Sequence, residues 1–172
     1  MARYRIDPAR SRVWIDARSN VHPIHSSTDG LEGYVDLELA ADGTIDLTSP
    51  VAGTMRLAVI RLTSGKRMED REMQKRIDAR RYPTIQGTLT SVAHAGDDER
   101  YRVVGDITFH GTTRSHEDEM TIRRDGERSI TLAGRSRFDI RAFGMEPPRV
   151  LVLKVEPEVD VRVEVYAVRE AS

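Results

Sequence analysis

The chain has no cysteine. That excludes disulfides, thiol nucleophiles and cysteine-based zinc sites. Aromatic residues make up only 5% of its 172 residues, so any core must be largely aliphatic. Net charge is almost absent, with 27 Lys and Arg against 28 Asp and Glu. No overall field draws such a chain to nucleic acid or to a membrane surface. No apolar run reaches the length of a membrane span, so stable membrane insertion is not expected. Residues 1–8 lack a basic-then-apolar signal pattern, which makes a cytoplasmic location the expectation. Familiar catalytic motifs are missing too. There is no Gly-x-Ser-x-Gly elbow, no phosphate-cradling glycine loop and no His-Glu-x-x-His. No basic-plus-aromatic platform for nucleic acid is present. No catalytic residue, metal or cofactor is therefore assigned.

What the chain does have is alternation. Val103, Ile107 and Phe109, with Gly105 between them, fall on one face of an extended segment. Val104, Asp106, Thr108 and His110 fall on the other. This period of two predicts a strand with one face buried and one wet. The segment ends in a turn at Gly111-Thr-Thr. Val13, Ile15 and Ala17 alternate in residues 11–18, and Leu31, Gly33, Val35, Leu37 and Leu39 do so in residues 31–39. Further strands are predicted over 51–62, 84–93, 119–123, 129–140 and 149–154. A final strand beyond these is the most regular, with Val159, Val161, Val163 and Val165 facing in. Residues 20–29 are polar and are expected as a loop or frayed strand end.

Residues 66–80 break the pattern. Met68, Met73, Arg76 and Ile77 fit a helical stripe surrounded by charge, and Tyr82-Pro83 stops it. About eight strands joined by tight turns, with one helical insertion, predict an all-β antiparallel sandwich or barrel. Pro and Gly are spread as turn punctuation, so 1–172 reads as a single domain.

Several segments, taken in order, carry a resemblance. They are Tyr4-Arg-Ile-Asp-Pro-Ala-Arg-Ser11, Leu62-Thr-Ser-Gly65 followed by Asp70 and Met73, and Arg81-Tyr-Pro83. Val104-Gly-Asp-Ile-Thr-Phe-His-Gly-Thr-Thr-Arg114, Phe143-Gly-Met-Glu-Pro-Pro148 and the final valine strand complete the set. Together these resemble the YceI-like family. The resemblance implies an eight-stranded antiparallel lipocalin-like barrel. It also implies a carrier of a long apolar molecule, a polyisoprenoid or an acyl chain, held inside. It adds a homodimer to the expectations and brings no catalytic residues. The chain departs from the pattern at the polar stretch His25-Ser-Ser-Thr-Asp-Gly30, at Gly87, at Ser115-His116 and in a shorter helical region. Large lining groups are lost at those places, which implies a wider, wetter or reshaped cavity.

The candidate ligand-binding set is Val13, Ile15, Ala17, Leu57, Val59, Ile85, Val103, Ile107, Phe109, Phe138 and Ile140. The same residues also suit a side-chain-filled barrel core. Met68, Met73 and Ile77 are candidates for a lid over the barrel mouth, or for ordinary helix packing. Residues 66–81 hold seven basic and four acidic residues, which suits an anionic head group or a simply solvated face. His22, His25, His110 and His116 are placed at the mouth. They serve there as hydrogen-bonding groups or, if three converge, as a zinc site. Three readings follow: a non-catalytic carrier, a histidine-metal enzyme, and a ligand-free interaction scaffold.

Overall fold

The computed structural model describes the backbone of residues 1–172 and the side chains of all but residues 97, 98 and 150. Eleven strands and one α-helix follow one another along the chain. They are β1 (Ala2–Ile6), β2 (Arg12–Ser19), β3 (Ile24–Thr28), β4 (Glu32–Leu37), β5 (Ala52–Ala58), α1 (Arg67–Ile77) and β6 (Thr84–Ala95). Then come β7 (Asp97–Phe109), β8 (Thr112–Arg124), β9 (Ser129–Asp139), β10 (Arg149–Val150) and β11 (Leu153–Arg169).

The sheet closes. The pairings β1–β4–β5–β6–β7–β8–β9–β11 return to β1, giving an eight-stranded antiparallel barrel. β2 and β3 are extra strands that extend one wall. The long β11 makes this possible because its free edge serves two partners. Residues 167–169 pair with β1, and residues 155–164 pair with β2. Pro8 breaks the chain between those two partners, since it has no N–H to donate to a ladder. The outer edge of β3 is closed in turn by Ser27 and Thr63, which exchange backbone hydrogen bonds of 3.1 and 3.2 Å.

Two apolar clusters fill the ends of the barrel. At one end Tyr101, Ile130, Leu37, Ile45 and Leu132 pack into a floor. The Ile45 backbone N–H donates to the Tyr101 hydroxyl at 2.9 Å, tying the loop of residues 38–50 to the barrel. Fully burying a side chain such as Ile130 contributes roughly 1.5–3 kcal/mol. At the other end Val59, Ile77, Ile140 and Met145 pack beneath α1.

The helix is held over that end by its first turn. Asp70 accepts from the Ser64 backbone N–H at 2.8 Å, the Ser64 hydroxyl at 2.7 Å and the Thr63 hydroxyl at 2.7 Å. Burial pushes the Asp70 carboxyl up, and these three hydrogen bonds outweigh it, leaving it below the ordinary carboxylate range. The helix stops at Asp78, whose left-handed backbone (φ 54°) turns the chain away.

The strand expectations are altered in several places, and the strand expected over 119–123 begins already at Thr112 as β8. Residues 24–28 form a true strand, because its inward residues Ser26 and Thr28 are small, polar and buried. The strand expected over 51–62 ends at Ala58, and Val59–Arg61 make a 3₁₀ turn. Residues 149–154 form a hairpin instead of one strand, turning at Leu151 and Val152.

Candidate functional site

Strand alternation places one side chain in two inside the barrel. The interior between the two end clusters is not filled. It holds a cavity of about 420 Å³. Its walls are built from β2–β9 and β11, and Met73 and Ile77 of α1 bound it at the helical end.

Ten residues of the eleven-residue candidate set line this cavity: Val13, Ile15, Ala17, Leu57, Ile85, Val103, Ile107, Phe109, Phe138 and Ile140. Val59 does not. It sits in the 3₁₀ turn, fully buried against Ile77, Ile140 and Met145, because the chain leaves the strand path just before it. Of the lid candidates, Met73 and Ile77 face the cavity, whereas Met68 is 62% exposed on the outer side of α1. The helical stripe therefore runs through residues 73 and 77 and leaves 68 in solvent.

The glycines divide by role. A Cβ built at Gly105 would come within 2.9 Å of the Thr88 carbonyl oxygen, so that glycine permits close strand approach. A Cβ at Gly87 would meet nothing within 4 Å. Gly87 lines the cavity, so its missing side chain is open interior space.

The four histidines go to different places. His22 Nε2 lies 3.3 Å from Glu69 Oε1 and 3.3 Å from Lys66 Nζ, beside the start of α1. His25 is exposed, with Nδ1 2.7 Å from Asp16 Oδ1 on the outer face of β2. His110 occupies the β7–β8 turn with φ 52° and packs its ring against Tyr82. Only His116 enters the cavity. Among the described residues, no three His, Asp or Glu side chains are arranged to hold a metal ion. The convergence that a three-histidine zinc site requires is thus not formed.

His116 is not at a strand end. It lies within β8, opposite Gly105 of β7, with two residues the sequence reading did not single out. Asp118 faces inward on the same strand, and Ser136 faces inward on β9. The Ser136 hydroxyl donates to Asp118 Oδ2. Asp118 Oδ1 accepts the Glu119 N–H at 2.8 Å. His116 Nε2 stands 3.3 Å from Ser136 Oγ and 3.5 Å from Asp118 Oδ2. The residue types are those of a hydrolase triad, but the geometry differs. A triad needs the carboxylate on one imidazole nitrogen and the serine on the other. Here one nitrogen faces both, and the serine hydroxyl donates its hydrogen bond to the carboxylate. Nothing in this arrangement activates Ser136 as a nucleophile.

The match to known families is decisive at this point. The model of the YceI-like domain covers residues 4–167. The chain belongs to the YceI-like family. Solved structures share this fold. BcnA of Burkholderia cenocepacia superposes with a TM-score of 0.77 at 18% identity, covering 94% of this chain and 98% of that one. A polyisoprenoid-binding domain from Saccharophagus degradans gives 0.75 at 12% identity, covering 97% and 98%. A YceI protein of Campylobacter jejuni gives 0.59 at 12% identity, covering 81% and 82%. No curated protein matches the chain. Among the described residues, no helix of this YceI-like chain is long and apolar enough to cross a membrane.

Proposed function

We propose that the protein is a non-catalytic carrier that holds an apolar molecule, a polyisoprenoid or a long acyl chain, inside the barrel. The observation that carries this reading is the unfilled aliphatic interior. Its volume of about 420 Å³ lies in the range of small-molecule sites, about 300–1,000 Å³. Ten of the aliphatic and aromatic side chains expected from sequence form its wall, and Gly87 leaves room where a side chain would fill it.

Each methylene transferred from water into such a lumen contributes roughly 0.8 kcal/mol. A chain of about a dozen carbons therefore contributes about 10 kcal/mol without any polar anchor, against about 4–15 kcal/mol for its lost translational and rotational freedom. Met73 and Ile77 serve as the inner face of a lid, and α1 as the element that must shift for entry. Membership in the YceI-like family supports the reading, as does the polyisoprenoid-binding domain with the same barrel.

The test is a titration of the purified protein with the neutral fluorescent probe N-phenyl-1-naphthylamine, followed by displacement with straight alcohols of increasing length. Affinity is expected to rise by up to about fourfold per methylene, as 0.8 kcal/mol implies, until the lumen is full. A folded protein that binds neither probe nor alcohols overturns the carrier reading.

A further inference from the structure

The lumen is apolar almost everywhere. On the inward positions of its strands, polar side chains are few: Ser26 on β3, and His116, Asp118 and Ser136 together on β8 and β9. The trio lies midway along the barrel. Two residues along β8 from Asp118, Met120 packs against the floor. In the other direction His116 reaches toward the three phenylalanines at the helical end.

A carboxylate in such surroundings is costly unless it is paired. Asp118 has two hydrogen-bond donors, the Ser136 hydroxyl and the Glu119 N–H. Among the described residues no Lys or Arg pairs with it, and the imidazole of His116 stands 3.5 Å from its Oδ2. Among the described residues, Arg56 alone of those residue types borders the cavity, and its guanidinium pairs with Glu32 on the outer face. Of the other carboxylates at the cavity, both at the helical end, Glu69 has Lys66 Nζ at 3.6 Å and Asp70 is held by donors from Ser64 and Thr63. His116 and Asp118 each keep about a third of their side-chain surface accessible (30% and 31%), and both line the cavity. At the trio an anionic head group would face the Asp118 carboxylate with no Lys or Arg paired to it among the described residues. A donor, above all a cationic one, would complete the pairing of Asp118.

We propose that His116, Asp118 and Ser136 form a recognition station within the lumen for an apolar ligand bearing a protonated amine. Asp118 supplies the counter-charge, Ser136 orients the carboxylate, and His116 with Phe138 forms the wall beside the bound nitrogen. This rests on the carrier reading and narrows its ligand class.

The experiment displaces N-phenyl-1-naphthylamine with three ligands sharing a fourteen-carbon chain: tetradecylamine, methyl tetradecanoate and tetradecanoate, each below its aggregation limit. The wild type is expected to bind the amine at least tenfold more tightly than the ester, and the carboxylate more weakly than the ester. In Asp118→Asn the amine preference is lost while ester affinity stays within twofold. Ser136→Ala keeps the carboxylate and removes its internal donor, so there the amine preference persists or grows. This second variant reads the proposal even if Asp118→Asn fails to fold. Equal binding of amine and ester by the wild type overturns the station and leaves the carrier reading standing. An amine preference that survives in folded Asp118→Asn also overturns it, and points to Glu69 and Asp70. If none of the three ligands binds the folded wild type, the carrier reading falls and the station falls with it.

Discussion

The imidazole of His116 packs against the ring of Phe138, with centroids 4.4 Å apart and planes inclined at 38°. This contact joins the polar station to the aromatic end of the lumen. Phe138 in turn lies 6.5 Å from Phe143, which lies 5.8 Å from Phe109. All three phenylalanines of the chain therefore meet at the helical end. Phe138→Ala removes the support from His116 and opens the cavity. A loss of about 2–3 kcal/mol in urea unfolding is expected, below the value for a fully buried ring because one side of Phe138 already faces empty space. Bulkier ligands should then bind better relative to straight chains.

Gly87 offers the cleanest way to close the lumen. Its Cβ position is free of neighbours, and a strand interior gains from a side chain. Gly87→Leu is expected to leave thermal stability unchanged or slightly raised. The same variant should lower probe affinity by tenfold or more. A calorimetric scan beside the fluorescence titration reads both at once.

Asp70 anchors the first turn of α1. Asp70→Ala removes the acceptor shared by Ser64 and Thr63 and is expected to cost about 1–2 kcal/mol. Amide exchange should quicken across residues 64–77, and ligand release with it. Acid should act in the same direction. The folded carboxyl lies below its ordinary value of 3.8, so the folded state holds fewer protons there. The stability it adds is complete above about pH 5 and drains away as pH falls from 3.8 through the depressed value. Asp36, lowered chiefly by its hydrogen bond from Arg3, drains over the same acid range. In a pH series of urea midpoints, Asp70→Ala should show a shallower acid decline than the wild type.

The two ends of the helical stripe should behave differently. Met68→Ser is expected to change neither stability nor binding, since that side chain is 62% exposed. Ile77→Ala empties a buried site beneath α1 and should cost about 2–4 kcal/mol. Equal effects from the two substitutions would contradict the placement of the lid face.

Most strands and most of the wall could be read from the sequence because valine, isoleucine and leucine alternate with charge along the long strands, whereas closure into a barrel was implied by the resemblance to the YceI-like family. Val103, Ile107, Phe109 and the valines of the last strand are cases where local pattern and tertiary position agree. Val59 shows the limit, because alternation cannot reveal where a strand gives way to a 3₁₀ turn. β3 and β8 stayed obscure for a different reason. Ser26 and Thr28 are buried but polar, and β8 is charged on both faces, so hydropathy had no contrast to show. A signal for β8 did exist. His110 and Gly111 both adopt positive φ, 52° and 72°, in a two-residue hairpin that sets Phe109 opposite Thr112. Counting by twos from Thr112 puts His116 and Asp118 inside. Their meeting with Ser136 depends on the β8–β9 register, which sequence spacing alone does not give.

The most direct test of the carrier reading is what the natively purified protein contains. Organic extraction followed by mass spectrometry should recover an apolar molecule near one equivalent per chain, and Gly87→Leu prepared alongside should yield far less. A wild-type protein that is folded, accepts no added apolar ligand and yields none on extraction would contradict it.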